Sequence, residues 1–344
     1  MRTLSRRELN RALLTRQGLL ERHEPPLPRA LERIGGIQAQ YAPSMYIGLW
    51  SRVAGFERGA LTGALEQRTV VQATLMRVTI HLVSREDFWP FALATRASRR
   101  TLWLRAARDP LSPAAMAGAA RALRRRLAGG GELPRKEIEA LLGKPRAAGV
   151  GLWVDLVRAP PSGTWERRRA DRFAAAEDWI GAPRTTVTAG TEHLVLRYLA
   201  GFGPASRTDV ASFTGLPLTA LRPVLARLEL CRFRGEDGDE LLDVPDGPLP
   251  DPETPAPPRF LPTWDATLLV HARRTLILPE AYRPLIFHTK MPPSYPTFLV
   301  DGQVTGMWRF EEGGIGLTPF RRLLSGERRE VDEEAARLAE FHSG

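Results

Sequence analysis

The chain has 344 residues, of which 43% are hydrophobic, so it can fold into several units with a sizeable core. Its net charge of +10 favours a polyanionic partner, with nucleic acid ahead of an anionic membrane surface. Cys231 is the only cysteine, which excludes an intrachain disulfide framework and cysteine-based zinc or iron–sulfur sites.

The basic excess is almost entirely arginine, because lysine occurs only at Lys136, Lys144 and Lys290. Arginine binds phosphate and guanine edges with two parallel hydrogen bonds, whereas lysine acts as a point charge. The coding bias of a GC-rich genome also explains arginine in place of lysine, but it does not explain the net charge. With no apolar signal region and no apolar run near ~20 residues, we expect a cytoplasmic protein without a membrane partner.

The first part of the chain predicts helices followed by a β-hairpin. Ser5 and Glu8 have the spacing of a capping box at the start of the first helix, and Gly35 and Gly36 end the second. A stretch rich in β-branched residues then predicts the hairpin. The predicted helices and the hairpin cover residues 4–22, 26–36, 58–67 and 69–84.

The same order of elements recurs twice, which is the pattern of a winged helix. The second copy is predicted to have three helices, a basic strand-like piece and a last helix, at residues 112–131, 131–143, 149–159 and 160–181. In the third copy, Ser206 or Thr208 caps a helix that Gly215 ends. Its helices and hairpin are predicted at residues 190–203, 204–216, 217–228 and 229–244.

The C-terminal region is predicted to be β-rich. Residues 245–259 are rich in proline and acidic, which indicates a linker or an extended strap. Strands are predicted within 260–279 and 295–310, with a hairpin turn at Asp301 and Gly302, and a helix follows. The sequence therefore predicts an α+β fold, mostly helical, with three tandem winged helices and a β-rich end. The predicted units are residues 1–105, 106–182, 183–245 and 246–344.

Common catalytic motifs are absent from the sequence. The six histidines are scattered without metal-ligand spacing, and there is no phosphate-binding loop, dinucleotide fingerprint or nucleophile elbow. A Schiff-base mechanism needs a buried lysine amine, and none of the three lysines lies beside the glutamine pair Gln38 and Gln40. Such a mechanism is therefore not favoured. We therefore expect neither a metal nor a cofactor.

A pair of neutral amides, Gln38 and Gln40, is the most informative local feature. In an extended segment, residues two apart point to the same side, so both amides would face one pocket. They could hold a water molecule but not deprotonate it strongly. Such a site suits an electrophile that becomes cationic and a leaving group that departs readily, as in cleavage of the N-glycosidic bond to an N7-alkylated guanine. On spacing alone, a pair of loop glutamines that satisfy turn backbone is the favoured interpretation.

The sequence resembles the winged-helix family of bacterial DNA glycosylases typified by AlkZ, the azinomycin-resistance enzyme. The resemblance spans nearly the whole chain and is carried by "GGIQAQYAPSMYIGLWSR", "ATLMRVTIHLVSREDF", "PPSGTWERRRADRF" and "PTFLVDGQVTGMWR", among other segments. It implies a monomeric, monofunctional glycosylase for N7-alkylguanine in double-stranded DNA, with a Gln-apolar-Gln motif at Gln38, Ala39 and Gln40. Because the second glutamine is kept, it resembles the branch that acts on bulky natural-product adducts and interstrand crosslinks.

Other side chains are candidates for contact with the lesion or the DNA, and most of them also have a structural interpretation. Arg77 and His81 would flank the lesion or grip phosphate from one face of a regular strand, and Asp265 would either steady a positive charge or cap a turn. Tyr41 and Tyr46 could stack on the base or adduct. Basic side chains that contact DNA, or form a solvated surface, are predicted at Arg167, Arg168, Arg169, His271, Arg273 and Arg274. The alternatives to a glycosylase are a winged-helix transcriptional regulator and an inert protein that sequesters an alkylating antibiotic.

Overall fold

The computed structural model describes residues 1–24, 26–107, 111–269, 275–287 and 294–344. More of these residues lie in helices than in strands, which confirms the predicted α+β, mostly helical class. None of the helices in these ranges is long and apolar enough to cross a membrane.

The N-terminal region contains the predicted helices and hairpin. The capping box is confirmed, because the Ser5 hydroxyl accepts from the Glu8 N–H at 3.1 Å and the Glu8 carboxylate accepts from the Ser5 N–H at 2.7 Å. Two helices, Ala42–Trp50 and Arg85–Ala106, are additional to the prediction, and Ser84 caps the second of them. The elements are β1 (Thr3–Leu4), α1 (Arg6–Arg16), α2 (Leu27–Arg33), β2 (Ile37–Gln38), α3 (Ala42–Trp50), α4 (Arg58–Glu66), β3 (Val70–Thr74), β4 (Ile80–Ser84) and α5 (Arg85–Ala106).

The second region differs from its prediction at several elements: Glu132–Pro134 forms a strand and Lys144–Gly149 an additional helix, and one predicted helix is cut short. Residues 149–159 form a short helix and then a strand, because Asp155 adopts a left-handed conformation with φ 57° that ends the helix. The elements are α6 (Pro113–Leu127), β5 (Glu132–Pro134), α7 (Arg135–Leu142), α8 (Lys144–Gly149), α9 (Gly151–Val154), β6 (Leu156–Arg158), β7 (Arg172–Ala175) and α10 (Ala176–Ile180).

The third region has the predicted order of three helices and a hairpin. Ser206 caps the second of these helices, and Gly215 ends it in a left-handed conformation with φ 70°. The elements are α11 (Val187–Phe202), α12 (Arg207–Thr214), α13 (Leu218–Arg227), β8 (Cys231–Gly235) and β9 (Glu240–Asp243). The N-terminal strand β1 pairs in parallel with β8, so the start of the chain joins this third region.

The C-terminal region is built on a sheet of four antiparallel strands. The turn at Asp301 and Gly302 is confirmed, but residues 266–269 are helical rather than β. The side chain of Asp265 explains this difference, because it accepts from the Thr267 N–H and so begins the helix. The elements are β10 (Arg259–Leu261), α14 (Ala266–Leu269), α15 (Arg283–Ile286), β11 (Thr297–Val300), β12 (Gln303–Glu311), β13 (Gly314–Pro319) and α16 (Ser325–Ser343).

One six-stranded antiparallel sheet connects the first two regions, in the order β2-β4-β3-β6-β7-β5. The boundary predicted between residues 105 and 106 therefore separates strands that share a sheet. On one face, Ala73, Val83 and Val157 pack in the largest core with residues of α5 and α11. On the other face, Val70 and Leu82 pack in a second core with residues of α2, α3 and α16. The number of winged-helix units and their boundaries remain predictions.

Candidate active site

The Gln-Ala-Gln segment lies at the edge of the six-stranded sheet. Gly36 turns the chain into β2 with φ 82°, and a Cβ built on it would lie 2.9 Å from Val83 Cγ1, so only glycine fits there. Strand β2 pairs with β4 and places Gln38 opposite His81. The pairing continues one residue further, because the Ala39 N–H donates to the Ile80 carbonyl at 2.7 Å. The segment is therefore extended and paired from Ile37 to Ala39, and Gln40 lies at a bend.

Gln38 is buried, with 6% of its surface exposed, and its amide is oriented by Arg77. The guanidinium Nη2 donates to Gln38 Oε1 at 3.3 Å. Because arginine can only donate, the atom facing it must be the carbonyl oxygen, which settles the assignment of the amide. A carbonyl oxygen has a second lone pair, so Gln38 Oε1 keeps acceptor capacity for a water molecule.

Gln40 is exposed, and its carbonyl is bound to the same hairpin. The Ile80 N–H donates to Gln40 Oε1 at 2.6 Å, so the side chain replaces a backbone carbonyl at the end of the strand ladder. The amide oxygens of both glutamines are thus anchored on residues 77–80, the turn between β3 and β4. This local anchoring, rather than the extended backbone alone, sets the direction of the two amides.

Arg77 is a half-buried cation in a constrained turn. Its backbone has φ 55°, and its guanidinium donates to the Phe213 carbonyl and lies 5.5 Å from the centroid of that ring. A Cβ on Gly215 would be 3.2 Å from Arg77 N, so glycine at the end of α12 allows this turn to approach. Burial lowers the pKa of Arg77 to about 10, which leaves it charged at neutral pH. Arg77 lies in a 3₁₀ turn, so the expectation that it shares a regular strand with His81 is wrong.

His81 is buried behind this turn. Its Nδ1 lies 3.0 Å from the Thr79 carbonyl, to which the neutral ring donates a hydrogen bond. Burial, reinforced by the charge of Arg77, lowers the pKa of His81 to about 3. The imidazole is therefore neutral at physiological pH and supports the turn from the core side of the sheet.

A third glutamine, Gln72, contacts the motif and was not singled out in the sequence. It is buried on β3, and its Nε2 donates to the Ala39 carbonyl at 3.4 Å. On its other side, a Cβ built on Gly163 would lie 2.6 Å from Gln72 Oε1. Gln72 thus lies between the Gln-Ala-Gln segment and the loop after β6. The only signal in the sequence is one amide within the apolar run "TVVQAT".

The basic loop, residues 159–171, lies beside the motif. Arg167, Arg168 and Arg169 are exposed, and the loop is closed by the Gly163 N–H, which donates to the Arg167 carbonyl at 2.8 Å. Arg168 Nη1 donates to the Tyr41 hydroxyl at 3.0 Å, and Tyr41 is 43% exposed. Through this contact the exposed basic loop meets the residue that directly follows Gln40.

Two of the predicted candidates lie in the core instead. Tyr46 is 0% exposed, shares a hydrogen bond of 3.0 Å with the Thr62 hydroxyl and packs edge-on against Trp165. Asp265 is buried, where it pairs with Arg52 at 2.9 Å. The contacts of Tyr46 are with Thr62 and Trp165, and that of Asp265 is with Arg52, two residues after α3. Both side chains therefore stabilise α3 and its C-terminal end. The predicted DNA contacts His271, Arg273 and Arg274 lie outside the described residues.

The chemistry available around the Gln pair is that of neutral amides beside a cation. The hydrogen-bond partners of Gln38 and Gln40 within the described ranges are a guanidinium and a backbone N–H, and neither is a base. In the same ranges, no cluster of three or more His, Cys, Asp or Glu residues could hold a metal ion. Among the described residues, the hydrogen-bond partners of the two amides therefore include no strong general base.

Comparison with known proteins agrees with these features. A profile of the family described as DNA glycosylase AlkZ-like matches residues 31–341. The solved structure of Streptomyces sahachiroi DNA glycosylase AlkZ aligns with a TM-score of 0.83 and 18% sequence identity, covering 99% of this chain and 98% of that one. At this identity the structural likeness shows a shared fold. A sequence search of curated proteins finds no significant match.

Proposed function

This chain belongs to the AlkZ-like family of DNA glycosylases and is therefore a DNA glycosylase, and from that premise we propose that it hydrolyses the N-glycosidic bond of N7-alkylguanine in double-stranded DNA. It does so as a monofunctional enzyme, with water as the nucleophile and no covalent intermediate on the protein. The substrates are bulky adducts and interstrand crosslinks, in line with the glutamine kept at the second motif position, Gln40.

The observation that carries this proposal is the anchoring of both amide oxygens on one hairpin turn. Arg77 holds the oxygen of Gln38, and the Ile80 N–H holds that of Gln40. Each oxygen retains one lone pair, so a single water molecule can donate one hydrogen to each amide. Its own lone pair then points away from the protein, toward the sugar carbon of a bound nucleotide.

A site without a strong base suits this leaving group. Alkylation at N7 gives guanine a positive charge, so the base departs readily and the sugar becomes oxocarbenium-like. A positioned water molecule then suffices, because proximity and orientation supply the acceleration that a base would otherwise provide. Among the described residues, no carboxylate forms a hydrogen bond with the side chain of Gln38 or Gln40. This arrangement is expected when the leaving group needs no protonation.

The basic loop supplies the grip on the DNA. Arg167, Arg168 and Arg169 are exposed and can meet phosphates, and Arg168 donates to Tyr41, the residue after Gln40. Bulky N7 adducts lie in the major groove, so an enzyme that holds the duplex from the minor groove could reach the sugar without enclosing the adduct. Complete flipping of the base into a closed pocket is then unnecessary. A complex in which the lesion is fully enclosed would contradict this part of the proposal.

The test is base release from duplex DNA that carries one N7-alkylguanine, followed by alkaline cleavage at the abasic site. We would compare a methyl adduct, a bulky adduct and a crosslink, using wild type and the Gln38→Ala/Gln40→Ala double variant. Gln67→Ala removes an exposed glutamine at the end of α4 and is the matched control. Release by wild type and Gln67→Ala, but not by the double variant, is the expected result.

The substrate series also separates the alternatives. Faster release of the bulky or crosslinked guanine than of the methyl adduct supports the proposed substrate class, and the reverse order contradicts it. A regulator or a sequestering protein would bind DNA and release no base from any of the three substrates.

A further inference from the structure

A small cavity in the second region contains an arginine charge that no carboxylate balances. The cavity has a volume of about 110 Å³ and lies between β3, β6 and β7 on one side and α7 to α9 on the other. Its polar lining comes from Thr74, Arg135 and Arg158, and its apolar lining includes Trp103 and Phe173. None of the described residues that line it is acidic.

Arg158 is the central feature of this cavity. Its Nε is buried without a hydrogen-bond partner, and its Nη2 reaches only the Thr74 hydroxyl, at 3.5 Å. The guanidinium lies 5.5 Å from the centroid of the Phe173 ring, and burial lowers its pKa to about 10. Arg135, the second guanidinium at the cavity, pairs with Glu139 at 2.8 Å. Of the two cations at the cavity, Arg135 therefore has a carboxylate partner and Arg158 has none among the described residues.

An unpaired buried cation is costly, and proteins usually compensate it with an anion. Two other buried arginines have such partners, as Arg16 does in Asp243 and Arg52 does in Asp265. Arg158 has no carboxylate partner among the described residues, and its Nη2 reaches only the Thr74 hydroxyl. A guanidinium fork beside a threonine hydroxyl matches the tetrahedral oxygens of a phosphate group, which both groups can bind.

The cavity is connected to the Gln motif by two contacts. Thr74, which binds Arg158, is the register partner of Ile80 across the β3–β4 hairpin, about 5 Å away between Cα atoms. The Ile80 N–H is the donor that holds Gln40 Oε1. Both the N–H and the carbonyl of Ile80 face β2, so Gln40 lies beyond one edge of the β3–β4 hairpin. Arg158 on β6 lies beyond the other edge, three strand spacings or about 14 Å from β2.

We propose that Thr74, Arg135 and Arg158 form a phosphate subsite that binds a backbone phosphodiester of the same DNA whose nucleotide is held at the Gln pair. The assignment of this phosphate to DNA rests on the proposed function. The subsite itself rests on the unpaired charge of Arg158 and on the residues that line the cavity. The bound phosphate neutralises Arg158 and contacts the Thr74 hydroxyl at the end of β3.

The first measurement is the salt dependence of binding to undamaged duplex DNA, by fluorescence anisotropy, for wild type, Arg158→Gln and Arg158→Lys. Losing one phosphate contact reduces the slope of log K against log salt by about 0.9. We expect this reduction in Arg158→Gln and not in Arg158→Lys, which keeps the charge. Arg329→Gln on α16 is the matched control, because it removes one positive charge from a side chain that is 76% exposed.

The second measurement distinguishes a ligand site from a structural role. In phosphate-free buffer, Arg158→Gln should melt at or above the wild-type temperature, because it removes an uncompensated buried charge. Added inorganic phosphate should raise the melting temperature of wild type and leave that of Arg158→Gln unchanged. An arginine with a structural role would instead lower the melting temperature when replaced, with no dependence on phosphate.

Each outcome decides between specific alternatives. A reduced slope together with stabilisation by phosphate supports a DNA phosphodiester subsite. Stabilisation by phosphate with an unchanged slope overturns the DNA assignment and indicates a site for free phosphate. If neither the reduced slope nor the stabilisation by phosphate is seen, the proposed subsite is wrong. Because no base excision is measured, failure of the subsite is separate from failure of the proposed function. Wild-type protein that binds no duplex DNA would contradict the proposed function.

Discussion

Replacing Arg77 by glutamine tests whether the orientation of Gln38 matters for excision. The variant removes the guanidinium that holds Gln38 Oε1 and leaves the amide free to rotate. Hydrogen bonds from a charged donor contribute ~1.5–3 kcal/mol, and a length of 3.3 Å places this one at the lower end. A loss of about 1.4 kcal/mol in the transition state corresponds to about tenfold slower excision.

The assay is single-turnover excision of N7-alkylguanine at saturating enzyme, which separates the chemical step from DNA binding. If Arg77 acts only by orienting Gln38, its replacement has no effect once Gln38 is alanine. We therefore expect Arg77→Gln to be about tenfold slow, Gln38→Ala about 10² slow, and the double variant no slower than Gln38→Ala.

Additive losses, with the double variant about 10³ slow, would refute this reasoning and place Arg77 in direct contact with the DNA. Arg77 also donates to the Phe213 carbonyl, so its replacement could disturb the turn. Thermal unfolding of each variant is the control for folding. Arg77→Lys, which keeps a charged donor, should recover part of the lost rate if the turn is intact.

Three further predictions concern the amides, the basic loop and the buried imidazole. Gln38→Ala and Gln40→Ala should each slow excision by ~10² or more with little change in DNA affinity; wild-type rates in both single variants and the double would remove the pair from the mechanism. Gly163→Ala should lower the free energy of unfolding by more than Gly238→Ala in urea titrations, because both sites have positive φ but only Gly163 also meets a side-chain atom, at 2.6 Å; equal losses would contradict the tight contact. His81 has a pKa of about 3 in the folded protein and near 6.5 when unfolded, so only the unfolded chain gains a proton as pH falls between these values. Stability should fall by about 2 kcal/mol between pH 7 and pH 5 through this group, and His81→Gln should flatten that decline in denaturant titrations at each pH.

Local signals in the sequence were sufficient for much of the fold. The capping box at Ser5, the glycine stop at Gly215 and the Asp301–Gly302 turn all depend on residues within a few positions of one another, and all are confirmed. The errors occur where local preference is overruled or interrupted. Asp155 ends a helix that the apolar pattern would continue, and Asp265 begins a helix within a segment that reads as β.

The sequence by itself determined the extended Gln-Ala-Gln segment, the basic character of the loop beside it and the chemistry open to neutral amides. Only the tertiary structure decided how those amides are held. Arg77 and Phe213 are 136 positions apart, and Gln72 and Gly163 are 91 positions apart. Neither contact therefore leaves a spacing pattern in the chain. The same is true of Arg158, whose missing counter-charge is visible only when every neighbour of its guanidinium is known. Periodicity and turn chemistry act over a few residues, whereas the electrostatic environment of a site is set by elements that meet through folding.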